Sequence, residues 1–166
     1  MADSKTEISI KKSDLVSTIK DEVSRIADKA YDEQGNSLYD GVIIYSNDEE
    51  TIDTLLSESE RAVRIRLADI IKPQEATTTE ETAAEATTTE GTITMEFDIP
   101  DCDPALVKLA QADICRYLTL NVCASWFNEH LADKVENFSE RALAALDRAA
   151  TELKTRKKPT IERKKP

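Results

Sequence analysis

The sequence predicts a mainly α-helical fold, a helical bundle of about four helices around a long central helix, with a small β element and a disordered Thr/Glu insertion. The 166 residues include only 3 glycines and 5 prolines and are 33% charged, a composition that favours helix over sheet. Residues 104–131 carry apolar side chains on nearly every side of a helix, which is typical of a buried helix. Three further segments, two before it and one after it, repeat apolar residues at helical spacing.

The N-terminal part predicts one helix after a short polar segment. Residues 1–12 are polar with a brief alternation around Ile8 and Ile10, which fits either a flexible arm or a short edge strand. Ser13 is a suitable helix cap, and a helix is expected over 13–33, where Gln34 begins a turn. Its apolar stripe lies at helical spacing and comprises Leu15, Ile19, Val23, Ile26 and Ala30.

A second helix follows a short β-prone run at Val42–Tyr45. Asn47 and Glu50 have the spacing of a capping box, which predicts a helix start. The helix should continue to Lys72, because Pro73 disfavours helical backbone in the residue before it. The stripe expected to be buried comprises Ile52, Leu55, Leu56, Val63, Leu67 and Ile70.

The region between the second helix and the central one has two parts. Residues 74–91, QEATTTEETAAEATTTEG, contain the hexamer EATTTE twice and no large apolar residue, so we expect a mobile low-complexity loop or a segment that orders on a partner. Residues 92–99 alternate strictly, which predicts a strand with one buried face. Its pairing partner is residues 5–10, residues 41–45 or a strand of a neighbouring subunit.

The central and final helices complete a single domain over residues 1–153. Asp103 can cap the central helix and Pro104 suits its first turn. Apolar residues predict a last helix over about 134–155. Residues 154–166 form a basic segment that we expect to be flexible. Its seven basic residues are Lys154, Arg156, Lys157, Lys158, Arg163, Lys164 and Lys165.

Charge and cysteine content restrict the class of protein. The formal net charge is -11, and because the last 13 residues carry +6, the remainder carries -17. A surface this acidic repels nucleic acid, which argues against sequence-specific DNA binding. Three cysteines without a close pair indicate free thiols in a reducing compartment. Without a signal-peptide pattern or an apolar run of about 20 residues, we expect a soluble, non-secreted protein.

No combination of residues predicts catalysis, a cofactor or a metal. Cys123 and the single histidine, His130, are about 10 Å apart along a straight helix, too far for a catalytic pair. The aspartates of the segment DIPDCDP are interpreted as a turn and a helix cap rather than a calcium site. Asp113 and Arg116 are expected to form an internal ion pair or to contact a neighbour. We therefore predict that the protein is not an enzyme.

The order of elements resembles that of a known family. Two helices, a variable insertion, a short β element, the apolar helix ALVKLAQADICRYLTLNVCASWF and the Ala-rich helix FSERALAALDRAATELK follow one another before a basic tail. This layout is similar to that of the head–tail connector, or adaptor, proteins of tailed bacteriophages, especially the small helical adaptors that form a ring below the portal. The likeness covers most of the ordered chain and lies in its layout, without a short diagnostic motif.

The resemblance implies a structural virion protein of the neck region, made in the host cytoplasm. Such adaptors are homo-oligomers, typically rings of twelve, which contact the portal and the tail or neck proteins. DNA passes through the lumen without sequence-specific binding, and an acidic wall would not hold its phosphates. By analogy, the basic tail from Lys154 contacts the portal; the alternative is a tail that only aids solubility. The alternative function is a cytoplasmic helical assembly chaperone or adaptor-type binding module.

Four further residues are candidate partner contacts on the basis of their positions. Ile93, Met95 and Phe97 line the apolar face of the predicted strand, which would be an assembly element if it pairs with a neighbouring subunit. Trp126 lies near the end of the central helix and is expected to be a core or subunit-contact residue.

Overall fold

A computed structural model describes residues 5–72, 91–99 and 102–155 and confirms the predicted mainly α-helical fold. Four long helices and a helix of one turn, α2, accompany a two-stranded sheet. The elements in chain order are β1 (Lys5–Lys11), α1 (Lys12–Ala27), α2 (Tyr39–Val42), α3 (Glu49–Arg66), β2 (Thr92–Asp98), α4 (Pro104–His130) and α5 (Val135–Lys154). None of the helices in these ranges combines the length and the apolar character needed to cross a bilayer.

Helix α1 ends at Ala27, six residues before the predicted end. The cause is the loop that follows, in which the Asp32 carboxylate accepts hydrogen bonds from the backbone N–H groups of Gln34 and Asn36. Such a side-chain–backbone turn competes with helix. Gly35 supplies the positive φ of 83° that this turn requires.

The segment between α1 and α3 also differs from the prediction. The β-prone residues 42–45 form no strand, because Val42 belongs to α2 and is 2% exposed. Helix α3 begins at Glu49, after a 3₁₀ turn in which the Asp48 carboxylate accepts from the N–H of Tyr45 at 2.8 Å. Asp48, rather than Asn47, therefore organises this helix start. Helix α3 ends at Arg66, six residues before the predicted end.

Strand β2 is present as predicted and pairs in antiparallel fashion with β1, which is the first of its three candidate partners. The C-terminal part of its other edge also forms hydrogen bonds within the chain, because the N–H of Lys72 donates to the carbonyl of Glu96 and the N–H of Asp98 donates to the carbonyl of Ile70. The buried face of the sheet packs on the helices. A strand from a neighbouring subunit is therefore not needed to complete the pairing of β2.

Helix α4 is the centre of the bundle and packs against α1, α2, α3, α5 and β1. The Asp103 carboxylate accepts from the N–H of Ala105 at 2.9 Å, which confirms the predicted cap. Helix α5 folds back antiparallel to α4. The pairing is fixed at one end by the edge-to-face contact of Phe127 and Phe138, whose ring centroids are 5.1 Å apart.

Burial along α4 is uneven. From Ile114 to Phe127 most side chains are buried, as the sequence predicts for an apolar helix. The first ten residues are mostly exposed or half-buried, and Leu109 is 54% exposed. The expectation that the whole helix is enclosed is wrong for this N-terminal part, because the neighbouring elements cover it on one side only.

Two predicted segments lie outside the described residues. These are the Thr/Glu insertion, apart from Gly91, and the basic tail after Thr155. Gly91 connects the insertion to the sheet, where its carbonyl accepts from the N–H of Lys12 at 3.0 Å.

Candidate binding groove

An open groove of about 650 Å³ lies between α1 and α4. Its α1 wall comprises Asp14, Thr18 and Glu22, which are spaced four residues apart, so it extends for about 12 Å. Residues 9–11 of β1 lie at the groove, and Arg141 of α5 also lines it. A groove of this size is within the range of ligand sites in proteins.

The walls of the groove follow from the two helices that form it. Helix α1 buries Ile19 and Val23 in the core. The adjacent face of the helix carries Asp14, Thr18 and Glu22, which line the groove. The α4 wall consists mainly of Gln111, Cys115 and Thr119, again four residues apart. Gln111 ties α4 to the strand, because its side-chain amide donates to the carbonyl of Ser9 at 3.0 Å.

The base of the groove is apolar. Ile10, Leu15 and Leu120 line it and are 5%, 4% and 4% exposed, so each offers only a small part of its surface there. A ligand in the groove would therefore contact aliphatic side chains at its base and polar side chains along its edges.

Two arginines line the groove without an acidic partner. Among the described residues, neither Arg116 nor Arg141 has a carboxylate within salt-bridge distance. The expected ion pair of Asp113 with Arg116 is wrong, because Asp113 instead accepts from Arg148 of α5 at 2.8 and 3.0 Å. Arg141 lies over the ring of Phe138, with its guanidinium carbon 5.4 Å from the ring centroid.

The groove carries a positive formal charge, because its basic residues outnumber its acidic ones. Lys11, Arg116 and Arg141 face Asp14 and Glu22, a formal sum of +1. Glu22 is already paired with Arg25 at 2.6 Å. The hydrogen bond from Arg25 lowers the pKa of Glu22, and the charge of Arg141 acts in the same direction. In a chain with a net charge of -11, the groove is a local exception.

The thiol in the groove is not an activated nucleophile. Cys115 is half-buried, and desolvation raises the pKa of its thiol above the ordinary value. Since the thiolate is the reactive form, this environment suppresses nucleophilic chemistry. Cys123 is fully buried, and desolvation raises the pKa of its thiol to about 12.

His130 takes a structural position at the end of α4. Its Nδ1 lies 2.7 Å from the carbonyl of Trp126, and its ring stacks on the indole with centroids 4.4 Å apart. Within the described ranges, no group of three or more His, Cys, Asp or Glu side chains is placed to hold a metal ion. The groove therefore offers the means to bind a ligand.

The structure separates the predicted partner contacts into three groups. Ile93, Met95, Phe97 and Trp126 belong to the chain's own core, at 3%, 0%, 0% and 6% exposure. The side chains of Ile93, Met95 and Phe97 have almost no surface left for a partner, and Trp126 takes the first of its two predicted roles, a core residue. The Trp126 indole donates to the carbonyl of Val42 at 2.7 Å, which satisfies its one polar group.

The second and third groups belong to the basic segment. Lys154 ends α5, is exposed and forms an ion pair with Asp69 at 2.8 Å. The other six residues lie outside the described part of the chain; they are Arg156, Lys157, Lys158, Arg163, Lys164 and Lys165. Nothing therefore brings Lys154 together with the strand residues or Trp126 into one site.

The groove was not predicted from the sequence. Its residues come from four elements and share no motif, so only their packing brings them together. One signal was available, since Arg116 interrupts the apolar run of the central helix immediately before its most buried part. No protein-family model, curated protein or solved structure matches this chain.

Proposed function

We propose that this chain is a non-enzymatic structural subunit of the head–tail connector of a tailed bacteriophage. In this role it forms a ring of copies in the neck of the virion, between the portal and the tail. The observation that carries the proposal is the architecture: a 27-residue central helix packs against shorter helices, with the strand and the insertion in the order of the resemblance.

Exposed apolar side chains on the helices support a role in assembly. Leu143 of α5 is 60% exposed and Ile65 of α3 is 67% exposed, although both are large aliphatic residues. Single exposed apolar residues are common on monomers, but an interface core between copies would draw on such side chains. The net charge of -11 suits a ring lumen through which DNA passes without being held.

The proposal is tested by measuring mass and shape. The purified chain, alone and mixed with the portal of the same virus, is analysed by light scattering after size exclusion and by negative-stain microscopy. We expect rings, at the latest when portal is present. A chain that stays monomeric in both samples contradicts the proposal.

A matched pair of variants locates the interface. Leu143→Asp places a charge at an exposed apolar position of α5 and should reduce ring formation. Ala144→Asp places the same charge on the next residue, which is also exposed but small. If both variants assemble like the wild type, α5 does not contribute to the contact between copies.

The groove favours a second candidate function, a cytoplasmic helical assembly chaperone or adaptor-type binding module. Such a module binds its partner transiently and is released, whereas a ring subunit stays in the particle. Mass spectrometry of purified virions distinguishes the two, because only the connector subunit is present in them in stoichiometric amounts.

A further inference from the structure

We propose that the groove between α1 and α4 binds an acidic, partly apolar peptide segment of a partner protein. The proposal concerns a site that the connector role does not assign. It also stands independently of ring formation, because the groove is complete within one copy of the chain.

The first argument is the distribution of unpaired arginines. Among the seven arginines of the described residues, Arg25, Arg64, Arg66 and Arg148 each form an ion pair with a carboxylate. Of the three others, Arg116 and Arg141 line the same groove, and Arg61 lies elsewhere on α3. In a chain with 33 acidic residues, unpaired arginines from two different helices at one groove indicate a site for an external carboxylate.

The second argument is the apolar base. Ile10, Leu15 and Leu120 line the groove, and the small part of each side chain that is exposed there is aliphatic. The groove of about 650 Å³ is much larger than a small inorganic anion, which would leave most of it unfilled. A ligand that carries both carboxylates and aliphatic groups over about 12 Å matches the groove, and a short peptide of acidic and apolar residues has this chemistry.

The third argument is electrostatic discrimination. The net negative charge of the chain disfavours binding of an acidic peptide to most of its surface, whereas the groove carries a formal charge of +1 and complements such a peptide. Asp14 and Glu22 at the same groove act against a nucleic acid, whose continuous phosphates would meet them. The occupant with the better fit is therefore a protein segment with a few spaced carboxylates.

The test uses the full chain and a fluorescein-labelled peptide of alternating glutamate and leucine, followed by fluorescence anisotropy. A peptide of alternating glutamine and leucine has the same apolar content without charge. We expect the acidic peptide to bind at least about tenfold more tightly than the neutral one, a difference of about 1.4 kcal/mol. We also expect its affinity to fall as ionic strength rises.

Charge-removing variants locate the binding site. Arg116→Gln combined with Arg141→Gln should weaken binding of the acidic peptide by at least about tenfold. Arg61→Gln removes the same charge from an arginine outside the groove and should leave binding unchanged. Equal binding by the double variant and the wild type, or equal losses in the double variant and Arg61→Gln, overturns the proposal.

A second measurement needs no substitution. Cys115 lines the groove and Cys102 lies outside it, so bound acidic peptide should slow the reaction of Cys115 with a thiol reagent and leave Cys102 unaffected. Lack of protection at saturating peptide, or no peptide binding up to millimolar concentration, overturns the proposal.

Other occupants give distinct results. Displacement of the peptide by inorganic phosphate at comparable concentration shows a small-anion site and overturns the peptide assignment. Tighter binding of a peptide with the sequence of residues 74–91, which is acidic without large apolar residues, assigns the groove to a segment of this chain and overturns the partner assignment.

Discussion

The two halves of helix α4 are both rich in apolar residues, yet they have different surroundings. In residues 104–113 only Ala110 is buried, and Leu109 is 54% exposed. In residues 114–127 the buried side chains point in every direction around the helix. The difference shows that apolar side chains all around a helix make burial possible. Which of these side chains are in fact buried depends on where neighbouring helices cover them.

The groove lies at the boundary between the more exposed first half of α4 and its more buried second half. Its α4 residues run from Gln111 to Leu120, from the open half into the enclosed half. There α1 has begun to cover α4 without closing over it. An incompletely covered apolar helix is a common origin of binding sites in helical proteins, because apolar surface and polar edges meet at such a position.

The largest expected contrast along α4 is the reactivity of two thiols, one at the groove and one in the core. Cys115 and Cys123 lie eight residues apart on α4, but Cys115 borders the groove and Cys123 is 0% exposed. A reagent reaches Cys123 only when the surrounding structure opens, which for a domain of ordinary stability slows its reaction by at least about a thousandfold. The raised pKa of its thiol, about 12, slows the reaction further by reducing the thiolate fraction.

The measurement is a time course with a colorimetric disulfide reagent at mildly alkaline pH, with each thiol assigned by a Cys→Ser variant. Cys102 and Cys115 should react in the native protein and Cys123 only in denaturant. Equal rates for Cys115 and Cys123 would show that the surroundings of Cys123 are as open as the groove.

Truncation of side chains should give the next largest contrast. Phe127→Ala removes a ring that is 0% exposed and in contact with Phe138, and should lower the free energy of unfolding by about 3–5 kcal/mol. Leu109→Ala truncates a large apolar residue in the open half and should change it by less than about 0.5 kcal/mol.

Urea denaturation followed by circular dichroism measures both free energies. Similar losses in the two variants would mean that Leu109 is covered in solution, for example by another copy of the chain. Repeating the experiment over a range of protein concentrations would reveal such a contact, because stabilisation by association depends on concentration.

The sequence predicted the elements well where their signals are local. Strict alternation identified β2, and Asp103 with Pro104 identified the start of α4. Helix ends were predicted less well, because they depend on side-chain–backbone turns such as that of Asp32, which compete with helix over short distances. The β-prone run 42–45 forms no strand: its first residue, Val42, ends the short helix α2, and its carbonyl accepts a hydrogen bond from Trp126, a tertiary contact that outweighs propensity.

The candidate site could not be predicted from the sequence. Residue spacing along one helix does not show whether a side chain of another helix will pair with the same carboxylate. Asp113 is three residues from Arg116, but Arg148 of α5 offers a bidentate pair and takes the carboxylate. Arg116 is left unpaired by this choice. The alternation predicted that the face of β2 with Ile93, Met95 and Phe97 is buried, but it left the pairing partner open, and only the tertiary structure shows that this partner is β1.

The smallest expected effect concerns the edge of the groove and its dependence on pH. The hydrogen bond from Arg25 lowers the pKa of Glu22 below its ordinary value of 4.5. Since the folded-state pKa lies below that of the unfolded chain, the pair stabilises the fold fully at pH values above about 4.5, and this contribution is lost as the pH falls through the folded value. For a solvent-accessible pair at i,i+3 the contribution is about 0.3–0.5 kcal/mol.

Glu22→Gln tests this contribution in unfolding experiments between neutral and acidic pH. The variant should be less stable than the wild type near neutral pH, and the difference should vanish in acid. Asp21→Asn removes a charge one residue away that has no ion pair among the described residues, and should cost less near neutral pH. A Glu22→Gln deficit that persists in acid would show that Glu22 stabilises the edge of the groove by packing rather than by its charge.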